Sequence, residues 1–288
     1  MVIKLRLENN GQSVEISNKL PKGFLREKGL SGLGIAPTQL SIREGAADGG
    51  RFRRSRRGPR DIDLPIAFNG EDADEVRGFM RDFVRILNDR WTTPYLYITY
   101  PDGEEQFTEV HYAAGANHVY GETTNGRTYA KWPVTLRAPS PYFTSTQVID
   151  FNLTNTNAGR GLIKQTSLSK LRVSSSSAIG TITVDNPGDV EAYPLWLLRG
   201  PAAFFQASIG TQGFRYDEPL TFANQITVDT QTKTVVDSTG ANRYEDLAAA
   251  PKLFAIPPGR STLNILMDGV DATSRVLFNF QPRYEVVF

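Results

Sequence analysis

Two stretches near the middle of the chain decide its predicted fold. Residues 133–145 read PVTLRAPSPYFTS, in which apolar and polar residues alternate up to a proline-rich exit. Residues 185–194 read DNPGDVEAYP, a turn-forming segment that leads into the apolar run 195–198. Alternation with period two indicates a half-buried strand, and clustered Pro, Gly, Asn and Asp indicate turns. We therefore predict that one β-rich domain closes at the first stretch and that another opens at the second.

Length and composition agree with two globular domains. A chain of 288 residues is longer than one hydrophobic core usually fills, and 40% of its residues are hydrophobic. The formal net charge of +1 predicts no overall attraction to nucleic acid or anionic membrane. The absence of cysteine excludes disulfides and thiolate metal sites. No signal-type segment and no run approaching about 18 apolar residues is present, so we expect a soluble protein without membrane insertion.

The first 144 residues predict strands around one helix. A hairpin is expected at Asn9-Asn10-Gly11, which separates two alternating runs. Another period-two strand covers residues 62–68, where Pro65 indicates an edge strand or a bulge. A meander over residues 95–137 should turn at Pro101-Asp102-Gly103 and again at Asn125-Gly126.

The helix is predicted after residue 72. Asn69 or Asp72 is a capping candidate, and acidic residues follow in the first turn, where they suit the helix dipole. Apolar side chains then recur at three- and four-residue steps, which predicts one buried stripe. This stripe comprises Val76, Phe79, Met80, Phe83, Ile86 and Leu87.

The remaining residues predict a linker and a second β domain. Residues 145–178 are rich in Ser, Thr and Asn and are interpreted as a linker that contains a possible strand at 148–153. Residues 179–288 carry short apolar runs separated by Gly, Pro, Asp or Asn. This spacing is typical of a β-sandwich or jelly roll.

The densest charged segment is residues 51–60, RFRRSRRGPR, with six arginines in ten residues. It has three interpretations: an interface with another protein, a solvated loop, or a contact with nucleic acid. A contact between subunits fits the bidentate pairing of arginine with carboxylates. We expect Arg51, Arg53, Arg54, Arg56 and Arg57 to contact a neighbouring subunit. Charge reversal of Arg53, Arg54 and Arg56 should then block assembly without lowering thermal stability.

The sequence contains little that would indicate a catalytic site or a metal site. His111 and His118 are the two histidines, and without a matching set of ligands they do not predict a metal site. The glycines at 29, 32 and 34 lack the spacing of a dinucleotide fingerprint and predict a turn. Aromatic residues of the second half should mostly be core, with a sugar-stacking face as the alternative: Tyr193, Trp196, Phe204, Phe205, Phe214, Tyr216 and Phe222. No catalytic residue, cofactor or metal is therefore expected.

The order of these features resembles the distal tail proteins of long-tailed bacteriophages. The resemblance lies in the first hairpin, Gly32-Leu33-Gly34 with Pro37, the arginine-rich segment leading into DIDLPIAF, the helix, and the exit Ala138-Pro139-Ser140-Pro141-Tyr142. In the second half it lies in Asn186-Pro187-Gly188-Asp189, Tyr193-Pro194 and Pro258-Gly259. The family implies a tail-tube-like, ring-forming β-sandwich domain with one helix at 1–144 and a galectin-like β-sandwich at 179–288.

The family also implies a structural function. A homo-hexameric ring would lie between tail tube and tail tip, with a lumen through which DNA passes. Its partners would be further copies of itself, the tail-tube protein, and other tail-tip or fibre proteins. The expected location is the virion tail tip, after assembly in the host cytoplasm. Two alternatives stay open: a tail-tube subunit, and a carbohydrate-binding module that acts through the second sandwich.

Overall fold

Strands make up most of the chain in the computed structural model, which describes residues 3–17, 22–26, 28–45, 48–117, 128–154 and 180–287. The chain divides into two units. The first comprises Met1–Gln147 together with Tyr284–Phe288, and the second comprises Val148–Arg283. The mainly-β class with one α-helix, which the sequence predicted, is confirmed.

The first unit is built on a ten-stranded sheet. In chain order its elements are β1 (Lys4–Asn9), β2 (Gln12–Ile16), β3 (Gly23–Arg26), β4 (Thr38–Glu44), β5 (Gly50–Arg57), β6 (Arg60–Asn69), α1 (Ala73–Ile86), β7 (Tyr95–Thr99), β8 (Glu105–Glu109), β9 (His111–Gly115), β10 (Tyr129–Ala138) and β11 (Phe143–Ser145). The sheet order is β21-β11-β8-β7-β1-β2-β3-β6-β10-β9, where β21 is Arg283–Tyr284. Strands β4 and β5 stand outside this sheet.

The first hairpin follows from its turn residues. Asn10 and Gly11 both have positive φ, at 49° and 74°, which fits a primed turn between β1 and β2. The antiparallel register then places Leu5 opposite Ile16 and Leu7 opposite Val14, and all four side chains are buried. The predicted hairpin is present.

The position of Pro65 differs from the prediction of an edge strand. Strand β6 lies inside the sheet, between β3 and β10. Pro65 lies opposite Pro133 on β10, so neither residue at that position brings a backbone N–H to the ladder. On the other side the pairs of β3 end at Ile66. An interior strand therefore accommodates the proline where its missing donor is not needed.

Helix α1 starts at the predicted cap. The Asp72 carboxylate accepts hydrogen bonds from the backbone N–H groups of Asp74 and Glu75, at 2.9 and 2.8 Å. Asn9 fixes the other end, since its side-chain amide donates to the Ile86 carbonyl at 2.8 Å and to the Asn88 carbonyl at 3.0 Å. The predicted stripe packs into or against the core of the first unit: Val76, Phe79, Met80, Phe83, Ile86 and Leu87.

The second unit contains two antiparallel sheets with a shared core. Its elements are β12 (Ile149–Thr154), β13 (Thr181–Asn186), β14 (Leu195–Arg199), β15 (Phe204–Ile209), β16 (Gln212–Tyr216), β17 (Ile226–Asp229), β18 (Thr234–Asp237), a 3₁₀ turn (Tyr244–Asp246), β19 (Gly259–Asp268) and β20 (Arg275–Phe280). One sheet has the order β12-β20-β14-β17-β18 and the other β13-β19-β15-β16. This arrangement is the β-sandwich that the sequence predicted.

The turn after β13 is held by a buried amide. Asn186 donates to the carbonyls of Val190 and Ile256, both at 3.0 Å, and accepts from the backbone N–H of Gly188 at 3.0 Å. A Cβ at Gly188 would lie 2.6 Å from the Arg283 carbonyl oxygen, so a side chain there would displace this backbone. The sequence DNPGD thus supplies the amide and the glycine that this turn requires.

The unit boundaries differ from those expected. The possible strand in the predicted linker is present as β12, which pairs with β20 and belongs to the second unit. The chain also returns to the first unit at its last residues, Tyr284–Phe288. Most of the predicted linker, residues 155–179, lies outside the described residues, as do His118 and Asn125-Gly126.

Candidate assembly interface

Strands β4 and β5 form a two-stranded sheet of their own, which we call the ribbon. They pair antiparallel from Thr38 opposite Arg57 to Glu44 opposite Gly50, with a bulge between Ser41 and Ile42. In the part of the chain that the structure describes, no third strand joins them. Both outer edges therefore carry unpaired backbone groups, which suit strand or side-chain partners from outside.

One side of the ribbon is apolar. Leu40 and Ile42 are alternate residues of β4, and Ile42 lies opposite Phe52 on β5, so all three side chains project from the same side. They are exposed by 62%, 56% and 59%. We call them the apolar face. Adjacent exposed apolar side chains of this size mark an interaction surface.

The opposite side carries arginines. Arg43 lies opposite Arg51, Ser41 opposite Arg54, and Gln39 opposite Arg56. We call Arg43, Arg51, Arg54 and Arg56 the arginine face, and all four are exposed. Arg53 lies at the bulge.

Arg57 differs from the other arginines of the predicted set because it is paired within the first unit. Its Nε and Nη2 atoms lie 3.0–3.2 Å from the Glu285 carboxylate, and its Nη1 donates to the Thr38 hydroxyl. Among the described residues no salt bridge involves Arg51, Arg53, Arg54 or Arg56. The structure thus separates the five residues into one anchored and four available side chains. Their contact with a neighbouring subunit stays a prediction.

Arg60, the last arginine of the segment, is buried at the base of the ribbon. Its guanidinium donates to the carbonyls of Gly32 (3.2 Å), Gly34 (2.8 Å), Pro141 and Glu285 (2.8 Å). It also lies 4.3 Å from the centre of the Phe143 ring. Burial lowers the pKa of Arg60 to about 10, because desolvation disfavours its charge. Nothing in the local sequence distinguishes this residue from its exposed neighbours.

A second exposed surface of the first unit surrounds Trp91, which is 89% exposed. His111 Nδ1 lies 2.8 Å from the Asp89 carboxylate, and Nε2 lies 2.8 Å from that of Glu109. Since Trp91 follows Asp89 closely, this contact places the segment that carries Trp91 beside the start of β9. We call Asp89, Trp91, Glu109 and His111 the Trp91 surface. Hydrogen bonds to Asp89 and then Glu109 raise the pKa of His111.

These groups do not form a metal site. Within the described ranges no three side chains of His, Asp or Glu are grouped so that they could hold an ion. Nor does any helix there have the length and apolar character needed to span a membrane.

The aromatic residues of the second unit are mainly core. Trp196 is 0% exposed and lies between the sheets, with the ring of Phe278 stacked at 4.4 Å between centroids. Phe205, Phe214 and Tyr216 are also buried. The partly exposed rings have a guanidinium over them: Arg199 lies 4.0 Å from Phe222 and Arg215 lies 4.0 Å from Phe204. A sugar-stacking role for Trp196 is therefore excluded by its burial.

Comparison with known proteins gives structural but not sequence matches. No protein-family model matches the chain, and no curated protein matches it. Among solved structures, the Dit protein (gp 19.1) of phage SPP1 is similar with a TM-score of 0.68 and 12% identity, over 97% of this chain and 98% of that one. It is described as a paradigm of the hub adsorption apparatus in phages that infect Gram-positive bacteria.

Two baseplate structures are similar over the whole chain. The phage P2 baseplate in its activated conformation with Ca matches with a TM-score of 0.54 and 13% identity, over 100% of both chains. The same baseplate with Sr matches with a TM-score of 0.54 and 12% identity, again over 100% of both. At these identities the likeness establishes the fold. From the first hairpin to the last strand, the chain has the fold of the distal tail proteins that the order of its sequence features indicated.

Proposed function

We propose that this protein is the distal hub of a phage tail, a structural protein that forms a homo-hexameric ring. The main support is its similarity to SPP1 Dit over nearly the full length of both chains, which includes both units. A tail-tube subunit, the alternative from sequence, has no need of the second sandwich. In the proposed role the protein assembles and guides passage, and it catalyses no reaction.

The ribbon supplies the proposed contact within the ring. Its apolar face is too exposed to contribute to the core of its own chain, with Leu40, Ile42 and Phe52 all more than half accessible. A closed ring needs a heterologous contact, in which a patch of one copy meets a different patch of the next. The Trp91 surface is such a patch, since it combines an exposed indole ring with polar and charged neighbours.

The proposal refines the contact predicted from sequence. There the arginines were expected to meet the neighbouring subunit. In the structure the apolar face is the more suitable part of the same ribbon, because apolar and aromatic side chains dominate the buried centre of interfaces. The ring would enclose a lumen for DNA. The second unit of each copy would serve as a platform for tail-tip or fibre proteins.

The test is the oligomeric state of purified protein. Mass photometry over a concentration series, with negative-stain images of large species, should show closed six-fold rings for the wild type. The triple variant Leu40→Ser, Ile42→Ser, Phe52→Ser should be monomeric at concentrations where the wild type forms rings. Its melting temperature should stay close to that of the wild type, since the three side chains are already exposed. Trp91→Ser should also lower the fraction of the protein that is found in rings.

A matched control comes from the second unit. Leu195, Phe222 and Leu266 are exposed large apolar residues, and their triple change to serine removes exposed apolar surface outside the ribbon. This variant should form rings like the wild type. Monomers of the wild type at every concentration, also after tail-tube protein is added, would contradict the proposed function. Rings that survive the ribbon variant would contradict only the proposed contact.

A further inference from the structure

The arginine face of the ribbon carries charge that the described part of the chain leaves uncompensated. Arg43, Arg51, Arg54 and Arg56 are exposed, and no salt bridge of the described residues involves them. Arg43 and Arg51 also lie directly opposite each other, and like charges in that position destabilise a strand pair. The ribbon thus carries an electrostatic cost that an anionic partner would relieve.

The composition of this face favours nucleic acid over an acidic protein surface. Leu40, Ile42 and Phe52 lie on one side of the ribbon and the four residues of the arginine face lie on the other, whereas Arg57 lies on the side of Leu40. A protein interface usually has an apolar centre, which the arginine face lacks. Interfaces with nucleic acid are more polar and much more positively charged. The arginine face therefore points away from any protein that covers the apolar face.

The geometry of the ribbon fits a phosphate backbone. Alternate residues of a strand advance by about 6.8 Å. Successive phosphates of one DNA strand advance by about 3.4 Å along the duplex axis, so every second phosphate advances by about 6.8 Å. A two-stranded ribbon also fits the width of the major groove. Arginine is suited to this partner because its planar guanidinium binds phosphate oxygens in a bidentate manner.

We propose that the arginine face of the ribbon is a binding site for the phosphate backbone of duplex DNA. Binding should be independent of sequence, since contacts to phosphate oxygens carry no sequence information. The proposal rests on the proposed function only for the source of the DNA, which would be the genome that passes through the ring. The site itself belongs to a single copy.

The experiment measures fluorescence anisotropy of a labelled duplex of mixed sequence over a series of salt concentrations. Wild-type affinity should fall linearly with the logarithm of salt concentration. In the variant Arg43→Gln, Arg51→Gln, Arg54→Gln, Arg56→Gln, the slope should decrease by about 3 to 4, because each phosphate contact contributes about 0.9. Affinity at low salt should fall about tenfold or more.

The control variant makes the same change in net charge elsewhere. Arg77, Arg81, Arg260 and Arg275 are exposed and lie outside the ribbon, two in each unit. Their change to glutamine should leave the slope and affinity near the wild-type values. Absence of wild-type binding at low salt, or an equal loss in both variants, would overturn the proposal.

Mass photometry of the same samples distinguishes a role of the arginine face in DNA binding from a role in ring assembly. If the arginine-face variant keeps the oligomeric state of the wild type and loses DNA binding, the assignment is supported. If it loses rings but keeps its DNA affinity, the arginines are a subunit contact, as first predicted from sequence, and the DNA site is refuted. A wild type that binds DNA through these residues but forms no rings, even after tail-tube protein is added, would contradict the proposed hub function and leave the DNA site supported.

Discussion

Arg60 shows how one side chain can join segments that are distant in the chain. Its guanidinium contacts Gly32, Gly34, Pro141 and Glu285, so the glycine bend, the proline exit and the C-terminal residues meet at one group. We expect Arg60→Met to lower the free energy of unfolding by about 3 kcal/mol, because buried carbonyls lose their donors. Urea denaturation followed by tryptophan fluorescence measures this free energy of unfolding. Arg81→Met, on the exposed side of α1, should change it by less than about 0.5 kcal/mol.

His111 makes the stability of the first unit depend on pH. Its pKa is raised in the folded protein by the carboxylates of Asp89 and Glu109. The contact therefore stabilises fully below the ordinary histidine pKa of about 6.5, and the contribution is lost as pH rises through the higher folded value. We expect His111→Gln to be less stable than wild type at about pH 6, by up to about 1 kcal/mol because the group is partly exposed.

The measurement is the difference in melting temperature between His111→Gln and wild type from about pH 6 to about pH 9. The difference should shrink as pH rises. A constant difference over this range would show that the loss comes from packing rather than from the charged hydrogen bonds.

Among the elements, the bend before the ribbon depends on a close backbone approach. Gly32 has φ of +87°, and a Cβ there would collide with the backbone of Asp61 and Ile62. Gly32→Ala should therefore destabilise the protein by about 1–3 kcal/mol. Gly78→Ala is the matched change, because Gly78 lies inside α1 with open space around its Cβ position. It should stabilise by about 0.5–1 kcal/mol. Equal effects of both changes in thermal unfolding would contradict this explanation.

Local signals were sufficient for some elements and insufficient for others. The Asn10-Gly11 turn and the Asp72 cap follow from neighbouring residues, so both could be predicted. The ribbon was missed, although Leu40 and Ile42 alternate with Gln39, Ser41 and Arg43 in the manner of a strand. In β5 the many arginines leave no alternation of apolar and polar residues that would indicate a strand. The burial of Arg60 depends on carbonyls up to 225 residues away, which no local pattern contains.

At the scale of the whole molecule, the two-domain β architecture could be predicted because turn residues recur throughout the chain. The membership of Tyr284–Phe288 in the first unit could not, since nothing in EVVF distinguishes these residues from the sandwich before them. The burial of Trp196 agrees with the expectation that most aromatic residues of the second half belong to the core. Its aromatic neighbours Phe205, Phe214 and Phe278 come together only in the folded sandwich.

The return of Tyr284–Phe288 to the first unit bears on the order of events during synthesis. Glu285 binds Arg57 at the end of β5 and Arg60 next to it, and the backbone N–H of Val287 donates to the Leu33 carbonyl at 3.0 Å. The ribosome makes these residues only after the entire second unit. A nascent chain therefore carries a ribbon that lacks the Glu285 contact to Arg57 until the second unit has been synthesised.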